Sequence, residues 1–197
     1  DYIMAGTLSV QKIQGLATSA TPTTVEISSG HKLTGAAGSI AAPGQVLQVV
    51  TSEVTSQFSS SSTGEYDITD MNVSITPTSS SSKVLIFVSM NVGSGQNTAN
   101  HFNLKRGSTA IAQGSTDGSR TQKSFVFDGG NADANRALTI SFHHLDSPNT
   151  TSSTTYKITI EKFSSGTTFR LNRVTSAGGG TYDDNFASQI TAMEIAG

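Results

Sequence analysis

From Gln45 onward, apolar residues recur at every second position. In Lys83–Val92 the even positions Val84, Ile86, Val88, Met90 and Val92 are apolar, while Lys83, Ser89 and Asn91 face the other way. Leu138, Ile140 and Phe142 alternate with Thr139, Ser141 and His143, and Tyr156, Ile158 and Ile160 with Lys157, Thr159 and Glu161. A period of two puts one side of a strand on a core and leaves the other wet. Shorter versions occur at Met71–Ile75, Phe102–Leu104, Phe125–Phe127 and Phe169–Leu171. With Val46–Val54 and Gln189–Ile195 they bring the expected strands to about nine. Gly/Ser/Thr/Asn clusters such as Ser59–Gly64, Thr76–Ser82, Gly114–Arg120 and Ser147–Ser153 separate them, and no window carries a helical stripe. The pattern predicts an all-β sandwich or barrel. The odd face of Lys83–Val92 also carries Leu85 and Phe87, which suit an interface or a second layer better than solvent.

The first 44 residues read differently. Leu8, Val10 and Ile13 form one short apolar patch, Val25 and Ile27 another, with Gly15, Gly30, Gly35, Gly38 and Pro43–Gly44 between and after them. Ordering each residue costs about 1–2 kcal/mol, which patches this short cannot offset within one copy. Residues 1–44 are therefore expected to be an attachment or stalk segment, and 45–197 the head. Three copies wound about one axis would bury Leu8, Val10, Ile13, Val25 and Ile27 together, with Leu85 and Phe87 joining the contact in the head.

Composition narrows the function. Thirty Ser, 27 Thr and 19 Gly occupy well over a third of the 197 positions, and charged residues make only 13%. Without Cys there are no disulfides, thiolate metal sites or cysteine nucleophiles. A net charge of −2 argues against coating nucleic acid. No apolar run approaches a membrane span, and the opening residues lack a signal-peptide pattern, so the triplets at Asn72 and Asn149 are not expected to be glycosylated. Between Lys83 and Arg173 ten Lys and Arg face five acids. That excess would suit an anionic surface or simply a solvated face.

Little of the sequence carries catalytic chemistry. His143 and His144 are neighbours on a strand and point to opposite sides, so with Asp146 they make a poor metal site; His144 is expected at the core edge. His31 and His101 stand alone in loop-like surroundings. Gly93-Ser94-Gly95 lacks the third glycine and helix of a nucleotide site. Asp128–Asp133 lacks the distal glutamate of a calcium loop. Asp183 and Asp184 have no visible acid/base partner. No catalytic, cofactor-binding or metal residues are expected.

Several segments resemble, in order, those of small tail-fibre-like virion proteins of tailed phages, particularly phages of marine bacteria. They are Ala5–Ile13, Pro43–Val50, Ser74–Pro77 followed by Ser79–Ile86, Leu104–Thr109, Leu145–Pro148 followed by Thr154–Lys157, and Ile190–Ile195. The resemblance implies an exposed virion component, a homotrimer with a β-sandwich head, and no catalytic residues. At 197 residues the chain is short for a free-standing tail fibre.

The expected architecture is a trimer of jelly-roll-like sandwiches on a short stalk. The expected function is a surface fibre or spike that attaches by its N-terminus to tail or capsid proteins. Its loops would meet a host polysaccharide through Asn97, Arg120, Lys123, Arg136 and Tyr182. The alternatives are a capsid decoration protein without a receptor role, a glycan-degrading enzyme, and a cellular lectin-like module.

Overall fold

The computed structural model describes residues 29–30, 42–93, 99–128, 136–163, 166, 168–176 and 183–197. The chain divides into two units, residues 1–36 and 37–197. In the first, only the exposed turn at Ser29 and Gly30 is described, so Leu8, Val10, Ile13, Val25 and Ile27 lie outside the described residues.

The second unit is built of eleven described strands: β1 (Val46–Val54), β2 (Phe58–Ser60), β3 (Gly64–Ile75), β4 (Lys83–Gly93), β5 (Ala99–Arg106), β6 (Thr109–Ile111), β7 (Phe125–Asp128), β8 (Ala137–Asp146), β9 (Thr154–Lys162), β10 (Phe169–Leu171) and β11 (Ser188–Ile195). No helix is found among the described residues. All pairings are antiparallel and form two sheets. One runs β1–β11–β4–β8, with the short β10–β2 pair meeting β4 beyond the end of β11. The other runs β3–β9–β5, with β6 and β7 sharing the far side of β5. The pairings nest: β1 with β11, β3 with β9, β4 with β8, and β5 with β7. This is the strand order of a jelly roll.

The core lies between the sheets. Val84, Ile86, Val88, Met90 and Val92 are buried, as their alternation predicts, and face Tyr156, Ile158, Ile160, Phe102 and Leu104. Phe102 stacks on Phe125 at 4.9 Å and meets Phe169 edge-on at 5.8 Å. Phe125 in turn stacks on Phe142 at 4.8 Å, closing the seam between β7 and β8. The apolar side of β8 is less deeply covered than its alternation suggests: Phe142 and His144 are half-buried and Leu138 is exposed. β8 is the outermost strand of its sheet, and the edge strand opposite, β7, has only four residues.

The head begins with a turn whose sequence dictates its shape. Gln45 N–H donates to the Ala42 carbonyl at 2.9 Å across Pro43 and Gly44, and Gly44 has φ +83°. Proline followed by a positive-φ glycine is the signature of a type II turn. Gly44 N–H then donates to the Ala196 carbonyl at 2.8 Å, starting the pairing of β1 with β11.

Candidate functional site

The two outer faces of the sandwich differ in kind. On the β1–β11–β4–β8 sheet, register places Val49, Met193, Leu85 and Leu145 in one row. The next row is Thr51, Thr191, Phe87 and His143, with the Phe87 and His143 rings 6.1 Å apart. Val49, Leu145 and Phe87 are 54%, 47% and 43% exposed, and Leu85 and Met193 are half-buried. Leu85 and Phe87 thus sit on the outer face, where their odd positions put them.

The opposite sheet turns ion pairs outward. Lys105 meets Glu65 at 2.8 Å, Lys157 meets Asp67 at 2.8 Å, and Lys123 pairs with Glu161. Glu65 also accepts from Thr159 Oγ1 at 2.6 Å and Asn103 Nδ2 at 2.8 Å. Burial pushes its carboxyl up, but the Lys105, Thr159 and Asn103 hydrogen bonds and the Lys105 charge outweigh this and hold it at about 2. Arg106 pairs with Asp146 and Arg120 with Asp117. Five of the ten basic residues between Lys83 and Arg173 are thereby matched to acids, two of which, Glu65 and Asp67, come from the acidic first part of the chain.

Beside this network the connection between β6 and β7 folds back to make a cleft of about 480 Å³. Amides hold it in shape. Gln113 Nε2 donates to Asn103 Oδ1 and to the Gln122 carbonyl, both at 3.1 Å, and Gln122 Nε2 donates to the Gly114 carbonyl at 2.6 Å. At the base, Ser124 Oγ donates to the Ile111 carbonyl at 2.8 Å and accepts from Leu104 N–H at 2.9 Å. At the tip, Gly118 takes φ +57° and Arg120 N–H donates to the Asp117 carbonyl at 3.1 Å. The Arg120–Asp117 ion pair spans the same turn at 2.5 Å. The floor is the cross-strand pair His101 and Val126. Phe163 stands against His101 edge-on at 5.1 Å.

Of the residues singled out from sequence, Arg120 and Lys123 line this cleft together. Arg136 is exposed just before β8 and does not line it, and Asn97 and Tyr182 lie outside the described residues. His101, expected in a loop, is a half-buried strand residue of the cleft floor. Val126 was legible as an apolar residue at a wet position of an alternating strand, yet only the fold shows that it floors this hollow. Among the described residues, no three His, Asp or Glu side chains gather as a possible metal site.

No family model matches the sequence, and no curated protein matches it. In structure the chain is similar to a chain of infectious bursal disease virus Gx strain, with a TM-score of 0.41 and 14% identity over 90% of this chain and 46% of that one. It is similar as well to the VP2 subviral particle of that virus, with a TM-score of 0.40 and 15% identity over 76% and 38% of the two chains. For the Gt strain the TM-score is 0.33 and the identity 11%, over 89% and 45%. The chain spans less than half the length of each.

Proposed function

We propose that this chain is a non-enzymatic structural protein of a virus particle. Residues 1–44 attach it, and a homotrimer of jelly-roll heads faces outward toward a host-surface polysaccharide. The contrast between the two outer faces carries this reading. An apolar strip containing Val49, Leu85, Phe87 and Leu145 suits burial against further copies of the chain, whereas the ion-paired sheet suits permanent exposure to water. The jelly-roll order, an architecture shared by capsid and lectin domains, and the ordered likeness to tail-fibre-like phage proteins support it further.

The test is mass in solution. Light scattering after size exclusion should report about three times the chain mass of 20.4 kDa. Replacing Leu85→Asp together with Phe87→Ser should leave a folded monomer. A monodisperse monomer of the unaltered chain at micromolar concentration would overturn the trimer.

A further inference from the structure

We infer that the cleft between the β6–β7 connection and the β5–β7 floor binds an uncharged saccharide unit through paired hydroxyls; this rests on the outward-facing role proposed above and gives it a ligand. The hollow, about 480 Å³, falls within the range of small-molecule sites. Its wall is braced by side-chain amides and by Ser124, so its shape does not await the ligand.

Charge decides against an ionic ligand. The lysine and the arginine lining the cleft are each held by an acid, Arg120 by Asp117 at the rim and Lys123 by Glu161 at the side. An anion would have to compete with a carboxylate already in place, and a cation with a guanidinium or ammonium. The pairs still retain hydrogen-bonding capacity. A carboxylate has about four lone-pair sites and a guanidinium five N–H donors, more than one partner consumes. The Asp117–Arg120 pair, both of whose members line the cleft, therefore offers donors and acceptors side by side. A hydroxyl, which donates and accepts at once, answers both, and two adjacent hydroxyls answer the spread of the Asp117–Arg120 pair.

The floor supplies apolar carbon. Val126 is 57% exposed there, paired in register with the half-buried His101 ring and next to Phe125. Exposed apolar carbon beside a cluster of polar pairs matches a molecule with a C–H face and a hydroxyl edge, as a sugar ring has.

The experiment is a calorimetric titration of the full chain with neutral gluco-, galacto- and manno-oligosaccharides and, in parallel, with oligogalacturonate. At least one neutral series should bind, with affinity changing less than about threefold as salt rises from about 0.05 to about 0.5 M. Val126→Ser and Asp117→Asn should each weaken binding by about tenfold or more without altering the solution mass. Asp117 is exposed, so its replacement tests the site without threatening the fold. Binding of oligogalacturonate alone with steep salt dependence, binding indifferent to both substitutions, or no binding by any neutral series would overturn the inference. A trimer that binds no neutral sugar would sink this site and leave the structural reading standing; a sugar-binding monomer would do the reverse.

Discussion

Asp146, the last residue of β8, accepts the Tyr156 hydroxyl at 2.7 Å from the opposite sheet. Arg106 Nη1, also from that sheet, donates to both Asp146 oxygens at 3.0 and 2.9 Å. Tyr156 and Arg106 are register partners on β9 and β5, so one carboxylate ties the end of one sheet to two strands of the other. Tyr156 is fully buried. Burial, together with the Asp146 hydrogen bond and charge, raises its hydroxyl pKa well above 10.0.

Replacing Tyr156→Phe should cost about 1.5–3 kcal/mol near neutral pH, because it removes a hydrogen bond to a charged group. Its pH dependence has a definite sign. Above pH 10.0 the unfolded chain releases the tyrosine proton while the folded chain keeps it, so stability falls as pH rises. The loss from this group approaches about 1.4 kcal/mol per pH unit. Denaturant melts at pH 9 to 11 should show the alkaline decline to be shallower in the Phe variant. Parallel declines would mean that Tyr156 has no raised pKa in the folded state.

Glu65 governs the acid side. Its pKa falls from 4.5 to about 2 on folding, so it adds stability above pH 4.5 that is lost as pH drops toward 2. The group is substantially exposed, and screening reduces its contribution to about 1 kcal/mol. Glu194 acts in the same direction. Burial raises its carboxyl, but hydrogen bonds from Gln48 and Thr78 hold it below the usual range. Glu65→Gln should lower stability at neutral pH and flatten its decline between pH 4.5 and 2. An unchanged acid slope would mean that the Lys105–Glu65 contact does not persist in solution.

Asn172 is the polar hinge-pin at one end of the sandwich. It is fully buried with φ +60°, a conformation asparagine tolerates better than most residues. Its Nδ2 donates to the Val54 and Ser56 carbonyls at 2.6 and 3.0 Å, and its Oδ1 accepts from Ser188 Oγ at 2.6 Å. Asn172→Leu would strain the backbone and strand the buried Val54 carbonyl and Ser188 hydroxyl, at a cost of about 3 kcal/mol or more. Asn172→Gly should cost less, since it relieves the φ while losing the same bonds. Equal melting temperatures for the two variants would show that backbone strain contributes nothing here.

The long strands were legible because each keeps its period. The ladders of β4 and β9 bury the residues their alternation marks. The start of β3 was not legible. Ile68 and Met71 both face the core although three residues apart, because Asp70 takes φ +65° and the register shifts between Asp67 and Asn72. A bulge of this kind resets the period and hides the strand N-terminal to it. β2 and β6, at three residues each, have no two apolar residues two positions apart, as Phe169 and Leu171 of β10 are, and so show no period. Arg120 and Lys123 stood out as polar residues in and beside a loop, but their acidic partners did not. Lys123 meets Glu161 across 38 positions, a pairing that only the sheet creates.

The same chain logic predicts where the head can be cut. β1 is held by β11 over most of its length, and the Ala42–Gln45 turn with the Gly44–Ala196 hydrogen bond starts that pairing. A chain of residues 42–197 should therefore unfold cooperatively with β-type circular dichroism. One begun at Gln45 loses the turn and the Gly44 bond but keeps the hydrogen bond from Ala196 N–H to the Gln45 carbonyl at 2.8 Å. Each lost bond is worth about 0.5–1.5 kcal/mol, and each kcal/mol shifts the melting temperature by about 2–4 °C in a domain of this size. The shorter chain should melt a few degrees lower and remain folded. If 42–197 is unfolded where the full chain folds, the head does not stand alone. If it folds but sediments as a monomer, residues before Ala42 supply part of the trimer contact that Leu85 and Phe87 begin.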